Sequence, residues 1–361
     1  MFNFLDIIKY KPGICPFETI ADFLQRSRDS DGQHCRHKDI RKGYKRMAEN
    51  KWDAFIYGDV NVDIVIPGVE HFPLPGQEDV VDIMNTYVGG GAALFTLGLG
   101  KLGLNPVFQG TIGDDCYGKF ILEEFKKTNT DCSLISVSQH NKTGISLSFT
   151  NEKERSFLTY RGTNAEINLD SIRLDKVQRS RHIHMTGYEG KFNHNKYLQL
   201  LEKVRELKEI TVSFDVGWDS TGEWYEGIYE LFPYIDVLFM NETEAIHYGR
   251  KDSALEAIQD FSEYSGIAVA KLGKKGAIAC SGGETYKADS YRVTAVDTTG
   301  AGDSFNAGFI YGYIKGKDIT ECLKYGNGCG ALSVTKLGGN TGFPAEDELL
   351  RFIKEQEERL G

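Results

Sequence analysis

From Trp52 onward the chain alternates two hydrophobic rhythms. Short apolar, β-rich runs (DAFIYGDV, NPVFQGTIG, SRHIHMTGY, EITVSFDVGW, IDVLFMNE and GIAVAKLG) are separated by stretches such as YGKFILEEFKKT and NKYLQLLEKVRELK, in which apolar residues recur at three and four. Strand and helix in alternation predict an α/β fold, a mostly parallel sheet with helices on both faces. Two stretches break this rhythm with period-two alternation, VNVDIVIPG through EDVVDIMNTYVGG (60–90) and TGISLSFTNEKERSFLTYRG (143–162), the second turning at NEKE. They predict hairpin strands in a small sheet standing off the main one, as a lid over a site. The other reading of the same pattern is a plain extension of the main sheet's edge.

Residues 1–50 do not share these rhythms. They carry ten Lys or Arg against seven Asp or Glu, and RSRDSDGQHCRHKDIRKGYKR is almost free of large apolar residues. We read them as an appended segment, a solvated basic linker ahead of one large domain at 51–361. HCRH at 34–37 invites a zinc ligand reading, but no second ligand pair stands at workable spacing.

Composition narrows the function. Hydrophobic residues make up 40% of the 361, charged residues 26% and aromatic residues 12%, an ordinary globular balance. A net charge of -10 argues against a surface that neutralises nucleic-acid phosphates. Seven cysteines at scattered positions give neither a disulfide framework nor a C-x-x-C pair, which fits a reducing compartment. Asp6, Lys9, Lys11 and Pro12 interrupt the first apolar run, leaving neither a signal-peptide core nor a span of roughly 20 apolar residues. The expected setting is the cytoplasm, where the sequons at Asn141 and Asn241 carry no glycan.

The strongest chemical signal is DTTGAGDSF at 297–305, between the alternating run SYRVTAV and the amphipathic run SFNAGFIYGYI. Read as strand, turn and helix, it lies where open α/β sheets bind ligands. Gly300 and Gly302 let the backbone curl around an anion, and Gly300, Ala301 and Gly302 would offer their N–H groups to it as an anion hole. Asp303, in the first turn, would stay ionised at neutral pH and take the proton of an attacking substrate hydroxyl. A phosphoryl group with its spread negative charge suits such a cradle. A plain helix start with an acidic first turn has the same appearance.

DTTGAGDSFNAGF resembles the C-terminal signature of the ribokinase (phosphofructokinase-B) family of carbohydrate kinases, and further landmarks follow in order across 52–343. The resemblance implies a three-layer sandwich with a β-sheet lid, MgATP as phosphoryl donor, and a sugar or related polyol as acceptor. It places Asn61 and Asp63 of GDVNVDIVI on the sugar, with Gly90 and Gly91 of YVGGGAALF beside it; Leu94 stands where the family usually has a substrate-binding Asn. Arg161 of FLTYRGTNAEI would set a cation over the acceptor. Asn241 and Glu244 of the N-x-x-E element would organise the Mg²⁺ waters, and Lys271, Gly273, Gly276 and Asn327 match nucleotide contacts. A K⁺ ion is a further expectation, at Asp297, Thr299, Ser333, Lys336, Gly338 and Gly342, though Gly342 lacks the side-chain oxygen often found there. Two copies pairing through the lid are a last expectation.

Two formal motifs are rejected on context. GLGKLG at 98–103 closes an apolar helical run instead of opening a helix after a strand, and GDDCYGKF at 113–120 has Phe120 where a P-loop needs Ser or Thr. The latter resembles a structural loop of the family. Two rival functions stay open: a nucleoside kinase of the same fold, and a non-catalytic sugar or nucleotide sensor.

Overall fold

The computed structural model describes residues 51–69, 74–150, 155–207 and 209–360. The leading segment, its HCRH and the NEKE turn lie outside the described residues. Asn50–Gly361 forms one compact unit.

In chain order, the strands are β1 (Trp52–Tyr57), β2 (Asn61–Pro67), β3 (Asn85–Gly89), β4 (Pro106–Gly113), β5 (Asp131–Ser138), β6 (Gly144–Thr150), β7 (Arg155–Tyr160), β8 (Ser180–Thr186), β9 (Thr211–Asp215), β10 (Val237–Asn241), β11 (Ile267–Lys271), β12 (Ala277–Ser281) and β13 (Glu284–Ala288). The main helices are α1 (Gly91–Lys101), α2 (Cys116–Lys126), α3 (His194–Glu206), α4 (Glu242–Gly249), α5 (Ala254–Phe261), α6 (Ala301–Ile314), α7 (Ile319–Ser333) and α8 (Glu346–Leu360).

Nine strands form the main sheet in the order β13-β12-β11-β10-β9-β8-β1-β4-β5. Every pairing from β5 to β11 is parallel, and the β11-β12 and β12-β13 pairs are antiparallel. Period-two alternation along β1 explains the three layers. Ala54 and Ile56 enter one core with helices α1, α2, α6 and α7, while Phe55 and Tyr57 enter the other with α3, α4 and α5. Fully buried rings such as Phe95, Phe239 and Phe309 contribute about 1.5–3 kcal/mol each on the apolar-transfer scale.

From β1 the chain builds outward to β4 and β5, then returns to β8 and builds the other way. The topological switch point therefore lies between β1 and β8, and the crevice it opens at their carboxyl ends is where such sheets take ligands.

The two period-two stretches make a separate four-stranded sheet, β3-β2-β6-β7, hydrogen-bonded within itself and not to the main sheet. The β2-β3 and β6-β7 pairs are antiparallel and β2-β6 is parallel. GDDCYGKF is structural: Asp115 caps α2 by accepting from the Gly118 N–H, and its carboxylate also holds the Thr143 N–H and hydroxyl at the foot of β6.

One expected strand is not there. Residues 290–296 pair with no sheet, and Val296 N–H is bonded instead to the Val334 carbonyl, 2.7 Å away at the end of α7. The alternation SYRVTAV has no neighbouring strand edge to satisfy. Among the described residues, no helix is long and apolar enough to cross a membrane.

Candidate active site

A cavity of about 700 Å³ opens over the switch point, lined by the ends of β1 and β8, the lid, and the first turns of α1 and α6. Two helix N-termini meet here. At α1, the Asp59 carboxylate accepts from the Gly91 N–H (3.0 Å) and the Ala92 N–H (3.1 Å), filling that end with the protein's own anion. At α6, no side chain caps the helix. Gly300 takes the left-handed conformation (φ 71°), and a Cβ on it would lie 2.4 Å from the Gly339 carbonyl oxygen. Gly300, Gly302 and Asp303 line the cavity, whereas the Ala301 N–H faces the Thr298 carbonyl at 3.3 Å. The open donor end of α6 therefore rests on fewer amides than the sequence suggests.

Asp303 departs from expectation in a second way. Burial first, then the Asp215 carboxylate, push its carboxyl up to about 8, against the partial relief given by Lys271. It is therefore mostly protonated at neutral pH in the free protein, because the helix terminus does not outweigh a crowded, poorly solvated pocket. Its Oδ1 lies 3.2 Å from where a Gly91 Cβ would stand, so the glycine at the start of α1 leaves room for it.

Asp215 ends β9, Lys271 ends β11 and Asn306 follows Asp303 by one helical turn, and the three converge. Lys271 Nζ donates to Asp215 Oδ2 at 2.5 Å and to Asn306 Oδ1 at 3.3 Å, and Asn306 Nδ2 donates to the same Asp215 oxygen at 2.5 Å. Burial works against the Lys271 ammonium, but Asp215 and Glu244 outweigh it and its pKa is raised. Glu244 is raised in turn by burial and by Asp215.

Asn241 and Glu244 form a capping box at the start of α4, the Asn241 side chain accepting from the Glu244 N–H and the Glu244 side chain from the Asn241 N–H, both at 2.8 Å. Glu244 nevertheless lines the cavity; Asn241 does not.

At the acceptor end, Asn61 Nδ2 donates to Asp63 Oδ1 at 2.8 Å, and a Cβ on Gly89 would lie 2.2 Å from that carboxylate oxygen. Asn164 ties this corner together: its Oδ1 accepts from the Val60 N–H at 3.0 Å and its Nδ2 donates to Asn61 Oδ1 at 3.4 Å. Gly90, Gly91 and Arg161 also line the cavity. Arg161 has no ion pair among the described residues. Leu94 lines the cavity too, but it is buried and packs on Gly339, behind the anion-hole turn.

Of the other expected positions, Thr299 lines the cavity and the rest fall outside it. Gly273 and Gly276 form the β11-β12 turn with positive φ, and Asn327 donates to the Ala288 and Asp289 carbonyls, joining α7 to the end of β13. Asp297 is knitted to its own loop, accepting from the Thr299 N–H and hydroxyl and from the Gly338 N–H. Ser333 donates to Gly330, Lys336 is exposed, and a Cβ on Gly342 would lie 2.4 Å from the Ser333 carbonyl oxygen. A side-chain oxygen at 342 would therefore need the Ser333 backbone to shift. Among the described residues no group of His, Cys, Asp and Glu could hold a metal ion unaided.

Asp59, Asn164, Asp215 and Asn306 were not singled out from the sequence. Asp215 stands at the end of β9 and Asn306 one helical turn after Asp303, but their shared role shows only where β9, β11 and α6 converge.

An uncapped helix N-terminus and a carboxylate, set over the switch point of a three-layer sheet and covered by a β lid, define a small-molecule kinase of ribokinase-like fold. Residues 53–346 match the pfkB family of carbohydrate kinases, and the chain belongs to that family: it is a phosphotransferase acting on an alcohol group. An uncharacterized sugar kinase of Archaeoglobus fulgidus is 30% identical over 250 residues, 69% of this chain and 98% of that one. The 5-dehydro-2-deoxygluconokinase of Bacillus subtilis is 28% identical over 87% of this chain and 99% of its own. Among solved structures, Arabidopsis thaliana ribokinase complexed with ribose and ATP shares the fold with a TM-score of 0.73 at 23% identity, covering 84% of this chain and 99% of that one.

Proposed function

We propose that the chain transfers the γ-phosphoryl group of MgATP to a hydroxyl of a carbohydrate that carries a carboxylate. The observation that carries the transfer is Asp303 standing beside the uncapped turn of α6 in the same cavity as Asn61, Asp63 and Asn164. Support for an acidic acceptor comes from Arg161, which lines that cavity and has no ion pair among the described residues. The named activity of the Bacillus subtilis relative, on a gluconate derivative, points the same way.

In this reading, Asn61 and Asp63 hold the acceptor's hydroxyls and fix which one faces Asp303. Asp303 takes that hydroxyl's proton; a carboxyl near 8 is well matched to the task at mildly alkaline pH. Gly300 and Gly302 present backbone donors to the phosphoryl oxygens, and the lid excludes water so that the group passes to sugar and not to solvent. Asp215 and Glu244 crowd negative charge around Lys271, a setting that suits a divalent ion arriving with ATP. Glu244, fixed by its box with Asn241, would hold that Mg²⁺, whose chemistry is to neutralise phosphate charge. The lid's edge strand β7 exposes Phe157 and Leu158 (58% and 62%), which supports pairing of two copies through the lid.

Ile167, Leu169 and Met185, apolar residues at the same cavity, favour a second reading in which a nucleoside's base lies there. A thermal-shift screen separates the two, since a ligand at 100 times its dissociation constant adds about 2.7 kcal/mol. Sugar acids should raise Tm; stabilisation by nucleosides and not by sugar acids would replace the acceptor.

A further inference from the structure

The Asp215–Lys271–Asn306 triangle is closed before any ligand arrives, and its geometry says what each member is for. Asn306 is 0% exposed, and its amide spends a donor on Asp215 and an acceptor on Lys271. It lies three residues after Asp303 on α6, so the two side chains leave the same face of the helix. Lys271 Nζ stands 3.4 Å from where a Gly302 Cβ would be, so the ammonium forms the floor of the anion-hole turn.

A lysine this enclosed has few ways to be held. Its stem is flexible, and contact with Asp215 alone would leave the ammonium free to swing about one carboxylate oxygen. The Asn306 oxygen supplies a second fixed point, and the Asn306 amide locks the Asp215 oxygen that both share. Because Asn306 belongs to the same helix as Gly302 and Asp303, it sets the ammonium's place relative to the hole and the base together. Leucine in its place would leave the buried ion pair short of partners, and aspartate would add a further carboxylate to one already facing Glu244 and Asp303.

Resting on the kinase reading above, we propose that Lys271 is the side-chain cation that meets the migrating phosphoryl group, and that Asn306 is the positioning residue that holds it at the floor of the anion hole.

The test is steady-state kinetics with MgATP and the preferred acceptor on wild type, Asn306→Ala, Lys271→Ala and the double variant, with Asp303→Asn as reference. Asn306→Ala should lower kcat by about 10²-fold with both KM values within about twofold, as for a misplaced catalytic group. The double variant should be no slower than Lys271→Ala alone, because Asn306 acts through Lys271. If Asn306→Ala does not fold, isosteric Asn306→Asp, which gives up the donor to Asp215, should still lose at least about tenfold in kcat. A kcat within twofold of wild type in the variant that folds, whatever its Tm, overturns the proposal; so do losses that multiply in the double variant. Full turnover by Asp303→Asn would remove Asp303 as the base, whatever Asn306 does, and a wild type that turns over with no acceptor would instead sink the underlying kinase reading.

Discussion

The two ends of the cavity are prepared differently. Around α6, groups are committed to one another in advance: Lys271 to Asp215 and Asn306, Glu244 to the Asn241 backbone, Gly300 to a left-handed turn against Gly339. Under the lid, Arg161 lines the cavity with no ion pair among the described residues, and the Asn61–Asn164 contact is long at 3.4 Å. The first end is preorganised for one charge distribution, the migrating phosphoryl group; the second is left for a ligand to complete. Substitutions at the first end should therefore act on kcat, and those at the second on KM.

The largest effect should come from Asp303→Asn, which keeps shape and removes the base. Turnover is expected to fall by about 10²–10⁴-fold while titration calorimetry finds ATP affinity within a few-fold of wild type. Gly300→Ala comes next. Its Cβ would meet the Gly339 carbonyl at 2.4 Å and the residue would sit at φ 71°, so the turn must shift. A loss of about 10²–10³-fold in kcat, the size seen when a main-chain donor is misplaced, is expected with a lowered Tm. If Gly300→Ala moved only KM, the two ends would not differ as described.

At the lid end, Arg161→Ala should raise KM for an acidic acceptor by roughly tenfold, the cost of about one charge-assisted hydrogen bond, with kcat within twofold. An equal KM change for neutral sugars would remove the carboxylate from the account.

What the sequence showed follows the same division. The α6 end was legible because its chemistry is local: glycines, helix start and carboxylate occupy consecutive positions at 300–303, and geometry follows from spacing. Asp215 and Asn306 were not, because their role exists only once β9, β11 and α6 converge, and nothing in SFDVGW or SFNAGF taken alone says so. The ionisation of Asp303 was misjudged for a related reason. Helix position is local, but the burial and the Asp215 charge that push the carboxyl up arrive from distant strands. The strand expected at 290–296 failed because alternation states that a strand is suitable, not that a partner edge is free.

The raised carboxyl yields the smallest and most graded effect. With a folded pKa near 8 against an unfolded value of 3.8, Asp303 binds more protons folded than unfolded across that window. The free protein should thus lose stability as pH rises from about 4 to 8, and Tm should fall between pH 6 and 8.5. Asp303→Asn should flatten that slope. In the same window kcat/KM for the acceptor should rise with pH, pass half its plateau near 8 and level off about one unit above it, since the free enzyme's base must lose its proton. A profile already flat from pH 6 would return Asp303 to the ordinary carboxylate range.

The central claim is that this cavity moves a phosphoryl group from ATP to a sugar hydroxyl. Incubating the wild-type protein with Mg²⁺, [γ-³²P]ATP and a sugar acid, then separating phosphosugar from inorganic phosphate, tests it directly. Label should accumulate on the sugar, with release to water a minor product that does not grow when the sugar is added. Label found only as inorganic phosphate, at a rate indifferent to every acceptor offered, would contradict it.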